Sequence, residues 1–472
     1  MKWIRLLIVY AFLNHSSFLF AAVKCLSKDT LPTDKAVKQL PTVLLRKSMS
    51  LGRSSGDTLI FDAQRYASPT AFRLEELLRD VPGFRVDGEG RIYFNGKEIN
   101  RIMIEGDDLA GDRYQTLSRN LRSGMIDKIE LIQSHQPNRL LRGFINAEST
   151  AINIRLKNEF KGKLSGGVTI GLGLKNLQQQ AAEALWMKDK WKEMIFADFN
   201  NNGAKAISER INEKDANGVP LLYELHPLPF DFSDQQNLIS FGQMYRNKDI
   251  QLTSLGNYSF RNQVKMNLGL TGGRYEFQQD QLVRRSMLQN DLKPLILLEQ
   301  IKMQRKSEPF LLRIGWDNDF GKNQIVKNVL QLGYDHANHI HSEVRNGAYR
   351  YNMNTSNQES QWIMQWDRGR TKKLVSGIIM QIKTRLASGE LSTEAISFTT
   401  NVKDSLTSTS KTQQLYRKGL LFDDDIQWLG MHKNNKWKIG FRTTIENSFI
   451  TIDKNNFYYR MIKSFPYAEL TW

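Results

Sequence analysis

From about residue 161 onward the chain alternates. In KGKLSGGVTIGLGLK, Leu164, Val168, Ile170, Leu172 and Leu174 fall on one face of an extended segment. Lys163, Ser165, Gly167, Thr169, Gly171 and Gly173 fall on the other. The pattern returns with Val264, Met266, Leu268 and Leu270, with Phe310, Leu312, Ile314 and Trp316, and with Trp437, Ile439, Phe441 and Ile445. A period of two is that of a strand whose faces meet different surroundings. About a dozen to fifteen such segments can be counted, divided by turn clusters such as RNKD and KNNK. No helical periodicity of comparable strength interrupts them, so 161–472 reads as an antiparallel all-β region.

Alternation alone does not say which face is buried. A secreted soluble β-sandwich alternates, and so does a transmembrane barrel. Two features favour the barrel. The polar face carries full charges and many glycines, as a wet lumen permits. Trp316, Tyr334, Trp362, Trp366, Trp428 and Trp437 recur near segment ends, as aromatic girdles require. Backbone polar groups in lipid must all be paired, which is why such a sheet closes.

Residues 57–158 carry a different pattern, that of a small α+β domain. In SPTAFRLEELLRDVPG, Ser68 is placed to cap a helix and Pro69 to occupy its first position. Leu74, Leu77, Leu78 and Val81 form one apolar stripe, which Pro82-Gly83 ends. Asn95-Gly96, between RIYF and KEIN, is a strong hairpin signal, since both residues tolerate positive φ. RIMIEG, MIDKIELI and AINIRLK read as further strands, with a polar helix-like segment over 113–122.

The start of the chain is different again. Lys2 and Arg5 precede the apolar run Leu6–Leu13, and Ala21 and Ala22 follow, which reads as a secretory signal peptide over 1–22. Residues 23–56 read as a flexible periplasmic leader, with one apolar patch at Val43, Leu44 and Leu45. Cys25 is the only cysteine, so no internal disulfide forms. Lys24 before it argues against a lipid-bearing cysteine. Mean hydropathy is −0.47 and no long apolar run marks a transmembrane helix. The formal net charge of +17 is spread along the chain without interleaved aromatics. With an export signal, anionic lipid or an anionic solute fits it better than nucleic acid.

The stretch LRDVPGFRVDGEGRIYFNGKEINRIMIEGDDLAGDRYQTLSRNL, with GDTLIFDAQRY before it and IDKIELIQ and AINIRLK after it, resembles the plug domain of TonB-dependent outer-membrane receptors. Pro82, Gly83, Asn95, Gly96, Glu105, Gly106, Asp107 and Asp108 carry the plug motif. The resemblance covers about residues 57–158, and GKLSGGVTIGLG looks like a first barrel strand. It implies a mainly β protein: an α+β plug followed by an antiparallel transmembrane β-barrel over 161–472. It also implies an outer-membrane transporter rather than an enzyme, with no cofactor. The implied partners are the inner-membrane TonB complex, outer-membrane lipid and a scarce solute such as an iron chelate, a vitamin or a glycan. Val43, Leu44 and Leu45 would be the TonB contact, by edge pairing of an extended peptide. Barrels of this kind have about 22 strands. The fewer segments here lead us to expect a partial barrel and a C-terminally truncated chain. A non-transporting surface-binding barrel and a secreted soluble β-protein stay open as alternatives.

Few other residues suggest chemistry. On a strand His339, His341 and Glu343 share a face and could hold a transition metal, though incidental histidines at a polar strand end explain them better. Asp423, Asp424 and Asp425 read as a solvated acidic turn sooner than as a calcium site. The Pro- and Asn-rich segment Asn200–Asn237 reads as a loop for external ligand contact. There is no HExxH, no Gly-x-Ser-x-Gly and no phosphate-binding glycine loop.

Overall fold

The structure is a computed structural model. It describes residues 53–55, 57–87, 90–111, 114–136, 138–144, 150–188, 190–203, 245–260, 264–287, 295–346, 350–375, 377–402, 406–432 and 435–471. The signal peptide, the patch Val43–Leu45, Cys25 and residues 204–237 of the long loop lie outside the described residues.

The small domain is built on β1 (Arg53–Ser55), β2 (Thr58–Asp62), β3 (Phe84–Val86), β4 (Ile92–Phe94), β5 (Lys97–Ile104), β6 (Ile126–Ile132) and β7 (Thr150–Leu156). Their order in the sheet is β1-β2-β6-β7-β5-β4-β3. All pairings are antiparallel except β5 with β7. Arg53–Ser55, expected as the end of a flexible leader, is the edge strand of this sheet. Helix α1 (Ala63–Tyr66) follows β2, α2 (Leu74–Asp80) precedes β3, and α3 (Tyr114–Asn120) lies between β5 and β6.

The apolar stripe of α2 is wholly buried, with Leu74, Leu77, Leu78 and Val81 packed against Leu117 and Leu121 and the sheet. Each such side chain contributes about 1.5–3 kcal/mol. Phe61, Phe84 and Phe94 meet edge to face, the last two with centroids 4.9 Å apart. The start of α2 differs from the sequence reading. Ser68 and Pro69 sit in a preceding turn closed by Ala71 N donating to the Ser68 carbonyl, 3.1 Å. Arg73 is the N-cap, and Glu76 Oε2 accepts from Arg73 N at 3.1 Å and Phe72 N at 2.7 Å. The Glu76 carboxylate, one turn into the helix, reaches back to the N–H groups of the N-cap and of the residue before it.

The second sheet comprises β8 (Leu164–Leu172), β9 (Gln178–Lys188), β10 (Trp191–Asn200), β11 (Tyr245–Ser259), β12 (Val264–Met287), β13 (Leu295–Ser307), β14 (Phe310–Asp319), β15 (Gln324–Asn346), β16 (Arg350–Val375), β17 (Ile378–Val402), β18 (Leu406–His432), β19 (Asn435–Ile452) and β20 (Asn455–Thr471). Every pairing is antiparallel, and strands pair in chain order except that β13 and β14 each lie between β12 and β15. β13 and β14 continue one line: Ser307 pairs Tyr275 and Phe310 pairs Gly272, in unbroken register. The interruption falls at Pro309, which has no N–H for the ladder. RNKD, expected as a turn, lies inside β11, paired to β12 from Arg246 to Asp249.

The two faces divide as the alternation requires. Leu164, Val168, Ile170 and Leu172 are exposed, Leu172 to 79%. So are Ile195, Leu252, Leu268, Phe310, Trp362, Leu420, Trp428, Ile439 and Phe441. The apolar run of β8 spans nine residues, the length a tilted strand needs to cross a hydrocarbon layer. The opposite face holds buried Gln331, Gln361, Gln365, Gln381 and Gln427. Trp428 and Trp437 lie near strand ends, but Tyr334, Trp362 and Trp366 lie mid-strand, because β15 and β16 run on well beyond the apolar segment. Among the described residues no helix is long and apolar enough to cross a membrane.

Candidate functional site

The chemistry of this chain gathers where the small domain meets the polar face of the large sheet. The turn after β5 supplies the densest part. Ile104 and Asp107 exchange two backbone hydrogen bonds, 2.9 and 3.0 Å, around Glu105 (φ 51°) and Gly106 (φ 81°). Two successive positive φ values define a type I′ turn. Gly106 N donates to Asn153 Oδ1 at 2.8 Å. Asp107 then projects between two strands of the large sheet. It accepts from Lys192 of β10 and from Lys265 of β12, the latter at 2.7 Å. Burial pushes the Asp107 carboxyl up, but the hydrogen bonds and charges of the two lysines outweigh it and hold the group below its ordinary value.

The neighbouring acids face inward to the small domain. Asp108 pairs with Arg101 and caps Gly111 N at 2.6 Å. Glu105 accepts from Leu156 N at 2.7 Å and pairs with Lys161 at 3.1 Å and Arg155 at 3.4 Å. Burial opposes ionisation of Glu105 too, yet these partners keep its carboxyl lowered. All three acids of the sequence motif are thus committed to cations or backbone N–H groups.

The remaining motif residues are architectural. Asn95 (φ 47°) and Gly96 (φ 82°) form the expected I′ hairpin between β4 and β5. Gly83 (φ 89°) follows Pro82 and passes so close to Phe94 that a Cβ would lie 2.7 Å from the ring. Tyr114 is buried in the same domain, accepts from Ile92 N at 3.2 Å, and has its hydroxyl pushed up to about 12 by burial.

Several contacts across the seam had no sequence signal. Glu183 of β9, 6% exposed at its side chain, receives Arg122 and lies 3.7 Å from Arg73. Gly167 of β8 makes room, since a Cβ there would overlap the Arg122 guanidinium. Arg139 forks onto Asp319 at 2.6 and 2.9 Å, and Asn138 donates to Thr371 of β16 at 2.8 Å. Leu140 and Leu141 pack on Ile325, Ile379 and Leu429. Leu185, Met187, Met194, Phe196 and Leu255 of the large sheet join the core of the small domain itself. Only the parity of charged positions along each strand could have pointed to these partners.

Beyond the seam a cavity of about 520 Å³ opens between Ala110 and the polar faces of β14–β19. Arg385 Nε donates to Asp367 at 2.7 Å, and Arg442 forks onto Asp423 at 2.8 and 3.0 Å. Tyr467 Oη donates to Asp425 at 2.6 Å. The acidic run is therefore neither a turn nor a calcium loop. It lies within β18, with Asp423 and Asp425 on the polar face and Asp424 on the other, accepting from Thr384 at 2.6 Å. Extended backbone separates consecutive side chains to opposite faces and cannot cluster all three. His339, His341 and Glu343 share one face of β15 by register, opposite Arg305, Met303 and Ile301 of β13. The side chains of His341 and Glu343 lie outside the described residues.

No family model matches the chain, and no curated protein matches it. Solved structures do. The siderophore receptor PiuA from Acinetobacter baumannii aligns over 88% of this chain at 10% identity, with a TM-score of 0.41. The ferric citrate transporter FecA aligns over 89% at 10% identity, TM-score 0.38. BauA, the ferric preacinetobactin receptor from Acinetobacter baumannii, aligns over 88% at 10% identity, TM-score 0.40. This chain spans 61%, 60% and 61% of their respective lengths, about three-fifths in each case. The architecture itself, a small plug-like α/β unit followed by a large antiparallel sheet, is the one the sequence resemblance implies.

Proposed function

We propose that the chain is an outer-membrane receptor of the TonB-dependent type, in which residues 57–158 plug a barrel wall formed by 161–472. The observation that carries this reading is the two-sidedness of the large sheet. One face shows lipid-length apolar runs, while the other holds the small domain through ion pairs, hydrogen bonds and a limited set of apolar contacts. A soluble sandwich would bury an apolar face against its second layer, whereas here the apolar side chains are the exposed ones. In such barrels the short turns face the periplasm and the long loops face outward. On that orientation the connection between β10 and β11 is external, and the segment Asn200–Asn237 contacts the solute.

The seam gives the mechanism its material. The small domain is held by ion pairs and hydrogen bonds and by two apolar contacts, one at Leu185, Met187, Met194, Phe196 and Leu255 and one at Ile325, Ile379 and Leu429, so a pull on its leading segment must break both kinds of contact. The pull would come from the inner-membrane TonB complex on residues 23–56, with Val43, Leu44 and Leu45 adding an extended edge to its partner. The solute class stays broad: an iron chelate, a vitamin or a glycan.

The test is cell fractionation combined with uptake. We expect the protein in the outer-membrane fraction and energised solute uptake that is lost when residues 30–50 are deleted, a cut that leaves β1 (Arg53–Ser55) in place. Recovery from the soluble periplasm or medium would overturn the barrel reading. Outer-membrane location with uptake indifferent to the deletion would leave a surface-binding barrel in its place.

A further inference from the structure

The cavity beside Ala110 has a composition that the plug does not require. Its volume, about 520 Å³, falls in the range of small-ligand sites. Four cationic side chains line it from the polar face: Arg313, Lys383, Arg385 and Arg442. Three carboxylates line it too, and each already has donors. Asp367 accepts from Arg385 and, at 2.6 Å, from Gln365. Asp423 accepts from Nε and one terminal nitrogen of Arg442 and, at 2.6 Å, from Thr444. Asp425 accepts from the Tyr467 hydroxyl. Asp367 and Asp423 are thereby turned into supports that orient guanidinium groups, while Asp425, held by Tyr467, lies opposite Lys383 in the strand register.

Lys383 is the complement. It lines the cavity and stays solvent-accessible there, yet it makes no hydrogen bond or ion pair of its own among the described residues. Arg385 uses Nε on Asp367, and its two terminal nitrogens have no protein acceptor among the described residues. Five donor hydrogens of one guanidinium and three of one ammonium exceed what the neighbouring carboxylate absorbs. Lys383 and Arg385 are two residues apart on β17, so both side chains leave the same face about 7 Å apart along the strand. That spacing suits two acidic groups of one small molecule.

We propose that this cavity is a binding site for a small polyanion, a solute bearing two or more phosphate or carboxylate groups, with Lys383 and Arg385 as its principal donors. Charge-assisted and forked hydrogen bonds from fixed cations are the strong form of anion recognition. The site stands on the cavity alone and does not require transport.

The experiment uses the full chain purified in a neutral detergent, with titration calorimetry against inorganic pyrophosphate, tricarballylate and, as an uncharged control, glycerol. Saturable binding of at least one anion is expected, weakening as salt rises and absent for glycerol. Preference between the two anions identifies a phosphate or a carboxylate source. Lys383→Gln should raise Kd about tenfold or more, since it removes one charge-assisted contact. Because Lys383 carries no ion pair, the variant keeps the fold, which the thermal melt verifies. Lys418→Gln is the control, since Lys418 pairs with Glu390 on the opposite face of the sheet and should leave Kd unchanged. Absence of saturable binding in folded protein, or equal loss in both variants, would overturn the site. Either result leaves the uptake test untouched, because no energised transport enters the measurement.

Discussion

Asp107 sits between two ammonium groups carried by strands that are not neighbours in sequence. Lys192 and the carboxylate are both largely buried, while Lys265 is half exposed. An exposed partner is screened and contributes little, so Lys192 should matter more. We expect Asp107→Asn to lower the stability of the detergent-solubilised protein by about 2 kcal/mol, Lys192→Met by a similar amount and Lys265→Met by much less. Denaturant melts followed by tryptophan fluorescence measure all three. The same acids set a pH dependence. The folded-state carboxyls of Glu105 and Asp107 lie below their unfolded values. Their contribution is therefore complete above the unfolded values, near pH 4, and is lost as pH falls through the lower folded ones. Acid below about pH 4 should loosen the seam, and Asp107→Asn should remove part of that dependence.

At the scale of elements, the hairpin β4–β5 and the turn that precedes β3 show how unequal two glycines can be. Both Gly83 and Gly96 have positive φ, but only Gly83 is crowded. Gly83→Ala meets the Phe94 ring as well as a strained backbone and should destabilise by about 1–3 kcal/mol. Gly96→Ala faces open space and should cost nearer 1 kcal/mol. Hydrogen exchange of the β4 and β5 amides would rank them. Turn signals of this kind were legible in sequence because a two-residue I′ turn depends only on its own residues. The start of α2 was not, since both a Ser68 cap and a later start with Glu76 reaching back to Phe72 N and Arg73 N are compatible with the sequence. The register of the chain in space selected the later start. The acidic run in β18 misleads for a related reason. Three adjacent aspartates look like one cluster along the sequence, and a strand splits them between two faces.

At the scale of the molecule, the plug reading makes displacement of the small domain necessary for uptake. Asn138 and Thr371 touch at 2.8 Å across the seam, although far apart in sequence. Cysteines at both positions, with Cys25→Ser to remove the native thiol, should form a disulfide that abolishes uptake while leaving solute binding at the cell surface unchanged. Reduction should restore uptake. Uptake that continues through the crosslink would mean that this contact does not open.

The sequence by itself determined the two faces of the large sheet, the existence of a separate α+β unit before it and the hairpin at Asn95-Gly96. These follow from local rules, the period of side chains along a strand and the φ values a turn demands. Only the tertiary structure decided which wall residues the small domain touches. Glu183, Lys192, Lys265, Asp319 and Thr371 are ordinary polar positions of alternating strands until register and docking bring them to Arg122, Asp107, Arg139 and Asn138. The same holds for the basic cavity. Arg313, Lys383, Arg385 and Arg442 belong to three different strands, and their charges sum at one place because the strands pair in one register. Long-range proximity is a property of that register, and no periodicity within a single strand encodes it.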